Sequence, residues 1–479
     1  MKAVPTSKPA LSLLAAALLP LGSAQAQQAS GDVTQKLEQR IEQMQQQLES
    51  LKQQLQELKG ENQQLAVQQK QVETEQVKQA QATAQVQQQA AQAQQAAAAA
   101  PATGGIPDGL TLWGYGEVYY THPTHDNALS QFDLARAVFG IGYRFNDRTV
   151  FNSEYEVEHA VASADDKGEF EVEQFYIDRQ LTDWASVKGG LFLMPFGLLN
   201  EHHEPTNFYG VQRNFVETLI IPSTWREGGV GFHGNTDYGL NWDAGVTTGL
   251  DLGAWGNNPE DPTYRTALEL EDNDVAPMQA THQELSLTDA QHLSQYLSLN
   301  YDGIPGFLAG AAVFTGKTAV AKVPAGLPDQ RVTLWEAHAR WTPGKAELTA
   351  LYARGHFSNT ATYNLDNEGV SNPMPAEFLG YYAQAAYSLW EDGDYRFAPF
   401  ARWEHYDMGY SYQGILPGFA TVPQGLAADG TPWPVPRDTV WTGGFNFYLN
   451  PHLVFKADYQ RFRDNADFTR FDLGVGLAF

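Results

Sequence analysis

The sequence predicts an all-β protein, a 16-stranded antiparallel transmembrane β-barrel with an N-terminal α-helical coiled coil. Three observations predict this fold. Residues 108–479 contain 16 segments in which apolar residues alternate with polar or small ones. Short turns alternate with long loops between these segments. The final segment, 469–479, has an apolar face that runs from Phe471 to Phe479 and a small or charged opposite face, as expected of a strand between lipid and a lumen.

Composition narrows the functional classes. The chain has no cysteine, which excludes disulfides and thiolate metal sites. Its net charge is −26, so nucleic acid is not expected as a partner. Residues 1–106 hold equal numbers of acidic and basic side chains, and all of the net charge therefore belongs to the remainder.

The first 26 residues predict a secretory signal peptide. Lys2 and Lys8 precede an apolar run at 11–21, and Ala24-Gln25-Ala26 gives the small-x-small pattern of a cleavage site. The run is too short for a membrane anchor, since a spanning helix needs about 20 apolar residues.

Residues 27–65 predict a coiled coil, because apolar residues recur in steps of four and three. The oligomerisation seam consists of Leu37, Ile41, Met44, Leu48, Leu51, Leu55, Leu58, Asn62 and Leu65. Such a seam needs a partner helix, so we expect a homo-oligomer, and the mixed Ile and Leu usage leaves the number of strands open. The alternative is a single amphipathic helix packed on its own barrel. Residues 66–107 predict an Ala/Gln-rich helical spacer and a linker broken by Pro and Gly.

A period of two marks the strands of the barrel domain, residues 108–479. The predicted strands are 110–120, 131–145, 149–159, 170–181, 185–195, 226–235, 239–250, 292–301, 307–316, 332–342, 346–356, 378–389, 396–406, 437–449, 453–462 and 469–479.

Connections between the strands alternate in length. Seven are tight turns rich in Gly, Pro, Asn and Asp, such as Asn146-Asp147-Arg148. Six are long, at 160–169, 196–225, 251–291, 317–331, 357–377 and 407–436. This sorting is typical of barrels in the bacterial outer membrane, where lipid and lipopolysaccharide would surround the wall. An even strand count puts both barrel ends at the turn rim, so we expect the coiled coil in the periplasm.

The third long loop, residues 196–225, differs from the others because it is rich in apolar and aromatic residues. Folding inward against the wall would bury them and narrow the lumen. The predicted constriction residues are His202, His203, Phe208, Tyr209 and Arg213. The alternative is a loop that covers a subunit interface on the outside.

A family resemblance is carried by Met194-Pro195-Phe196-Gly197 and by the run N-F-V-E-T-L-I-I-P-S-T-W-R-E-G-G-V-G-F-H-G at 214–234. These motifs resemble the phosphate-selective porin O and P family, and coiled-coil-bearing, dicarboxylate-taking porins of the DcaP-like kind are similar in layout. The specific motifs lie mainly within 185–235, whereas the layout covers the whole barrel. The resemblance implies a trimeric, 16-stranded channel whose third loop enters the pore, with passive, anion-favouring uptake along a route lined by Arg and Lys.

Strand parity supplies candidates for that lining. The inward basic residues, with one on the third loop, are Arg136, Arg144, Lys188, Arg213, Arg340, Arg396, Arg402 and Lys456. Guanidinium groups suit oxyanions because they offer several fixed donors. Carboxylates share the same faces, at Glu154, Glu156, Glu158, Glu336, Glu404 and Asp458. The alternative is therefore that these charges pair across the wall.

Other chemistry has little support. Glu201-His202-His203-Glu204 has metal-ligand residue types at adjacent spacing, and we predict no metal site and no cofactor. Neither G-x-S-x-G nor H-E-x-x-H occurs, so we predict no enzyme. The loop 251–291 is strongly acidic, which indicates a solvated charge run and leaves divalent-cation binding open.

Two functional hypotheses follow. The first is an outer-membrane porin for passive diffusion of small hydrophilic, preferably anionic solutes, such as phosphate, polyphosphate or carboxylates. The second is a structural outer-membrane anchor whose coiled coil engages the cell wall or an envelope partner.

Overall fold

The chain divides into two compact units, Met1–Gly104 and Gly105–Phe479. The computed structural model describes residues 108–160, 168–252, 255, 276–318, 329–366, 373–417 and 435–479, together with Glu49, Lys52 and Lys59. These last three residues are helical. The predicted signal peptide and spacer, and all other residues of the predicted coiled coil, lie outside the described residues. No helix of the described chain is long and apolar enough to cross a membrane.

The second unit is built almost wholly of β-strands. They are β1 (Leu110–Pro123), β2 (Gln131–Asn146), β3 (Thr149–Glu158), β4 (Phe170–Gln180), β5 (Ser186–Leu193), β6 (Arg226–Asn235), β7 (Leu240–Thr247), β8 (Ser294–Ile304), β9 (Phe307–Lys317), β10 (Arg331–Trp341), β11 (Ala346–Phe357), β12 (Glu377–Tyr387), β13 (Trp390–Asp392), β14 (Tyr395–Ser411), β15 (Arg437–Asn450), β16 (Leu453–Phe462) and β17 (Arg470–Ala478). A short α-helix, α1, covers Thr360–Asp366 in a long loop.

The strands form one antiparallel sheet that closes on itself. β1 pairs with both β2 and β17, and Gly114 exchanges backbone hydrogen bonds of 3.0 and 2.8 Å with Phe479. β13 has three residues, pairs with β14 and continues the line of β12, so the wall has 16 strand positions. The predicted 16-stranded antiparallel barrel is confirmed.

Side chains on the wall alternate between an apolar outer face and a polar inner face. On β17, Phe471, Leu473 and Leu477 are exposed, whereas Arg470 and Asp472 are buried. A soluble protein would place these residues the other way round, and a lipid-facing wall explains the arrangement.

Strand positions follow the sequence pattern closely, with one clear extension. β14 runs to Ser411, five residues beyond the predicted end at 406. Tyr406, Asp407 and Met408 are buried in succession, so the alternation disappears there although Ser411 still pairs with Glu377 of β12. The pairing, and not the side-chain pattern, extends this strand.

The chain enters the barrel at the rim of short turns. Leu110 at the start of β1 pairs with Tyr143, close to the tight turn between β2 and β3. The last strand ends at the same rim, where Ala478 donates its backbone N–H to the carbonyl of His452 in the turn before β16.

Candidate functional site

The third loop, residues 196–225, connects β5 to β6 and lies inside the barrel. Its two ends are held together by hydrogen bonds. Asn200 holds the two ends together, because its side-chain amide donates to the carbonyls of Met194 at 2.7 Å and Trp225 at 2.9 Å. Its amide oxygen accepts from the N–H of Trp225 at 2.7 Å. The loop therefore leaves and rejoins the wall at one point, and the residues between its two ends can fold into the lumen.

The second half of the loop is apolar and packs against the inner face of β9, β11, β12 and β14. A π-helical turn, Val216–Ile220, lies beside Gly380 of β12, where a Cβ atom would stand 2.8 Å from Ile220 Cγ1. Trp225 meets Phe314 of β9 with ring centroids 4.8 Å apart. These contacts place the loop on the inner side of the wall, as the apolar content predicts, and not on an outer subunit interface.

The first half of the loop lies along polar residues of the wall. Arg136 donates to the carbonyl of His203 at 2.6 Å, and Arg402 donates to that of Tyr209 at 3.2 Å. Asp458 accepts the N–H of Val211 at 2.6 Å. Other bonds of this kind join Asn446 to the carbonyl of Phe208 at 2.9 Å and Glu404 to the N–H of Phe215 at 2.7 Å. Wall side chains thus satisfy backbone groups that the irregular loop cannot satisfy itself.

Glu217 is a buried carboxylate that sequence analysis did not single out. Its Oε1 accepts the N–H groups of Leu198 and Leu199 at 2.6 and 2.9 Å. Its Oε2 accepts from the side chains of Asn214 at 2.8 Å and Tyr382 of β12 at 2.9 Å. An acidic residue in so apolar a run is the signal that points to such a tether.

Three of the predicted pore-lining cations are buried and paired with carboxylates. Arg136 Nε lies 2.9 Å from Glu117, and Arg402 Nε lies 2.8 Å from Glu404. Lys188 Nζ lies 2.6 Å from an oxygen of Asp243. These three side chains are therefore held in ion pairs.

The other predicted cations have different surroundings. Lys456 is buried, with Nζ 3.4 Å from the ring centroid of Phe208 and no hydrogen-bond partner among the described residues. Arg396 stacks on Tyr448, with 3.9 Å between the guanidinium carbon and the ring centroid. The last three are Arg340, which is partly buried, Arg144, which is exposed at the turn rim, and Arg213, which is buried within the third loop.

The predicted constriction residues divide in the structure. Phe208 and Tyr209 are buried against the wall, and burial raises the pKa of the Tyr209 hydroxyl. His202 is exposed, whereas His203 is buried. Burial, assisted by the positive charges of Arg136 and Arg213, lowers the pKa of His203 well below its usual range, so this imidazole is neutral at neutral pH.

Glu201-His202-His203-Glu204 does not assemble as one group. Only His203 of the four is buried, and Glu204 is hydrogen bonded to Asn207 at 2.6 Å. His203 instead faces Tyr115 of β1, with 2.6 Å between its Nε2 and the hydroxyl oxygen.

Comparisons with known proteins agree with the barrel. A family model described as phosphate-selective porin O and P matches residues 108–467. An uncharacterized protein of Aquifex aeolicus (strain VF5) is 27% identical over 371 residues, which cover 76% of this chain and 78% of that protein.

Several solved structures are similar at low identity. The outer membrane channel DcaP of Acinetobacter baumannii gives a TM-score of 0.45 at 11% identity and covers 77% of this chain and 97% of its own. The anion-selective porin from Comamonas acidovorans gives 0.45 at 12% identity, over 77% and 99%. OmpF of Salmonella typhi in complex with daunomycin gives 0.45 at 15%, over 77% and 97%.

Proposed function

Because the chain belongs to the phosphate-selective porin O and P family, and is thus an outer-membrane channel protein, we propose that it admits small hydrophilic, preferably anionic solutes by passive diffusion through a lumen narrowed by the third loop. The observation that carries the proposal is the position of residues 196–225 inside a closed barrel, beside Arg136, Arg402 and Lys456.

Anion preference is supported by the basic groups where the third loop meets the wall. Arg136 Nη1, Arg402 Nη2 and Lys456 Nζ have no hydrogen-bond partner among the described residues. Both oxygens of the neighbouring Glu404 are engaged, one by Arg402 and the other by the N–H of Phe215, whereas Asp458 Oδ1 has no partner in this part of the structure. The three basic side chains are buried, so their positive charges act on a passing phosphate or carboxylate through the electric field and not by direct contact.

The test is the ion selectivity of the full chain in a planar bilayer under a potassium chloride gradient. We expect ohmic conductance, a zero-current potential of anion-selective sign, and block by phosphate. Lys456→Gln should shift this potential toward the cation side and weaken the block, because it removes a positive charge from the wall beside the third loop.

Lys345→Gln is the matched control, since Lys345 lies exposed in a short turn and should leave the potential unchanged. Absence of conductance in the wild-type chain contradicts the channel proposal. Conductance with a cation-selective sign contradicts only the anion preference.

A further inference from the structure

A buried cluster joins the third loop to the wall at β3 and β4. It consists of His203, Glu154 and Glu173, which are 3%, 5% and 0% exposed. One ligand atom from each residue lies within 4.8 Å of the other two. The three residues come from separate stretches of the chain, so no local motif in the sequence indicates them.

The separations suit the coordination of a single ion. His203 Nε2 lies 3.9 Å from Glu154 Oε1 and 3.8 Å from Glu173 Oε1. Ligands that each stand about 2.0–2.2 Å from one Zn²⁺ are themselves about 3–4 Å apart. The wall and the loop therefore bring the donors together with little movement required.

The imidazole is oriented to use Nε2 as a ligand. His203 Nδ1 lies 2.9 Å from the carbonyl oxygen of Asn200, which can only accept, so Nδ1 carries the proton. The lone pair of Nε2 then faces the two carboxylates. A backbone carbonyl on the far nitrogen is the usual support of a metal-bound histidine.

The hydrogen bonds within the cluster leave acceptors unsatisfied. The hydroxyl oxygen of Tyr115 lies 2.5 Å from Glu154, 2.6 Å from His203 and 3.3 Å from Glu173, but it has a single proton to donate. Glu173 Oε1 has no hydrogen-bond partner among the described residues. A fully buried carboxylate oxygen without a donor is costly, and it is aimed at the imidazole nitrogen.

The charged groups around the cluster are mostly acidic. Three guanidinium groups act on it. Arg136 pairs with Glu117 at 2.9 Å and approaches Glu156 at 4.0 Å, Arg213 lies on the loop, and Arg226 pairs with Glu171 and Glu284. Four carboxylates line this part of the wall, at Glu117, Glu154, Glu156 and Glu173. Arg226 is already paired with two carboxylates of its own, so the four carboxylates outnumber the guanidinium charges that remain for them. A divalent cation would supply positive charge at this place.

We propose that His203, Glu154 and Glu173 bind one divalent transition-metal cation of the Zn²⁺ type, which fastens the third loop to the barrel wall. The donor set of one imidazole and two carboxylates suits Zn²⁺ and its neighbours in the first transition row. The Tyr115 hydroxyl, which already contacts all three residues, turns aside to admit the ion. The proposed metal site does not depend on whether the channel prefers anions.

The experiment measures zinc binding by the purified full-length protein after treatment with a chelator. Titration with Zn²⁺ alone, followed by calorimetry and by metal analysis of the washed protein, should give one site that raises the thermal midpoint. His203→Ala and Glu173→Gln should each weaken binding at least about tenfold. His202→Ala, the exposed neighbour, should bind as the wild type does, and Tyr115→Phe should retain the site because it removes none of the three ligands.

Two results with the cluster itself overturn the proposal: no saturable zinc site in the wild type, or equal binding by wild type and Glu173→Gln. Weaker binding in His202→Ala matching that in His203→Ala also overturns it, because it would assign the zinc to the exposed part of the loop. Glu173→Gln conserves shape, so this variant decides if His203→Ala fails to fold. Heat-modifiable migration in electrophoresis identifies folded barrels before each titration.

Discussion

Glu217 lies where the third loop turns, and both of its carboxylate oxygens are hydrogen bonded. It bridges the start of the loop, at Leu198 and Leu199, to Asn214 further along and to Tyr382 on the wall. Glu217 is buried in an apolar cluster. If its carboxylate is removed, no water is present to accept the hydrogen bonds of its four donors.

Glu217→Ala should therefore release the loop without opening the barrel. We expect a loss of about 2–4 kcal/mol in loop stability, since bonds to charged groups contribute roughly 1.5–3 kcal/mol and buried donors are left unsatisfied. Limited trypsin digestion reports this release, because cleavage at the buried Arg213 requires the loop to open. Glu391→Ala, on the exposed strand β13, is the control, and equal resistance of both variants would contradict the tether.

His203 gives the loop a pH dependence in the presence of a chelator. Its pKa in the folded protein is lowered by burial, so below the ordinary histidine value of about 6.5 the unfolded chain binds more protons than the folded one. The contribution of His203 to the stability of the folded protein is therefore complete above the ordinary histidine pKa and is lost as the pH falls below it.

The thermal midpoint of the wild type should thus fall between about pH 7.5 and pH 5.5, and that of His203→Gln should fall less. His202→Gln provides the comparison, because His202 is exposed and should keep the wild-type dependence. Identical pH profiles for wild type and His203→Gln would refute the assignment.

At the scale of elements, the π-helical turn and strand β12 fit together through the missing side chain of Gly380. A Cβ atom there would stand 2.8 Å from Ile220 Cγ1 and 3.1 Å from Val216 Cγ1. The glycine thus allows the loop to approach the strand backbone closely.

Gly380→Ala should displace the turn from the wall at a cost of about 1–3 kcal/mol, the usual effect of adding a methyl group to a packed core. The thermal midpoint and the single-channel conductance together detect it. Gly443→Ala on β15 is a matched control, since a Cβ atom there meets nothing within 4 Å. Equal thermal midpoints and equal conductances of the two variants would contradict a role of the close approach at Gly380 in holding the turn against the wall.

The sequence predicts the strands well and the site less well, for a physical reason. Alternation is local, so Phe139 and Ile141 show their outward direction without knowledge of any partner. Pairing depends on register between distant strands. Lys188 meets Asp243, 55 residues away, and Val211 meets Asp458, 247 residues away. Parity alone therefore assigns a charge to the lumen but does not show whether it is already paired.

At the scale of the whole molecule, the barrel is confirmed, whereas the coiled coil at 27–65 stays a prediction. We propose that the heptads associate in the periplasm into a homo-oligomer, with a trimer as the family resemblance implies. The chain enters the barrel at the rim of short turns, which is consistent with that side of the membrane.

Deletion of residues 27–105 should leave conductance per channel unchanged while it reduces oligomer stability in detergent. Chemical cross-linking and light scattering measure the second effect. Leu48→Asp and Leu55→Asp together should reproduce the deletion if the heptad seam is responsible, because each places a charge in the apolar interface. An oligomer as stable in the deletion as in the wild type would assign assembly to the barrel instead.

The seam between β1 and β17 has a consequence for biogenesis. It joins Gly114 to Phe479, and these paired residues are separated in the sequence by almost the whole barrel domain. Contacts of such long sequence separation form slowly. The wall cannot close before β17 has been made, so the edge of β1 lacks its partner until that strand is present. Escort of the unclosed chain by periplasmic chaperones is thus expected from the topology of the sheet.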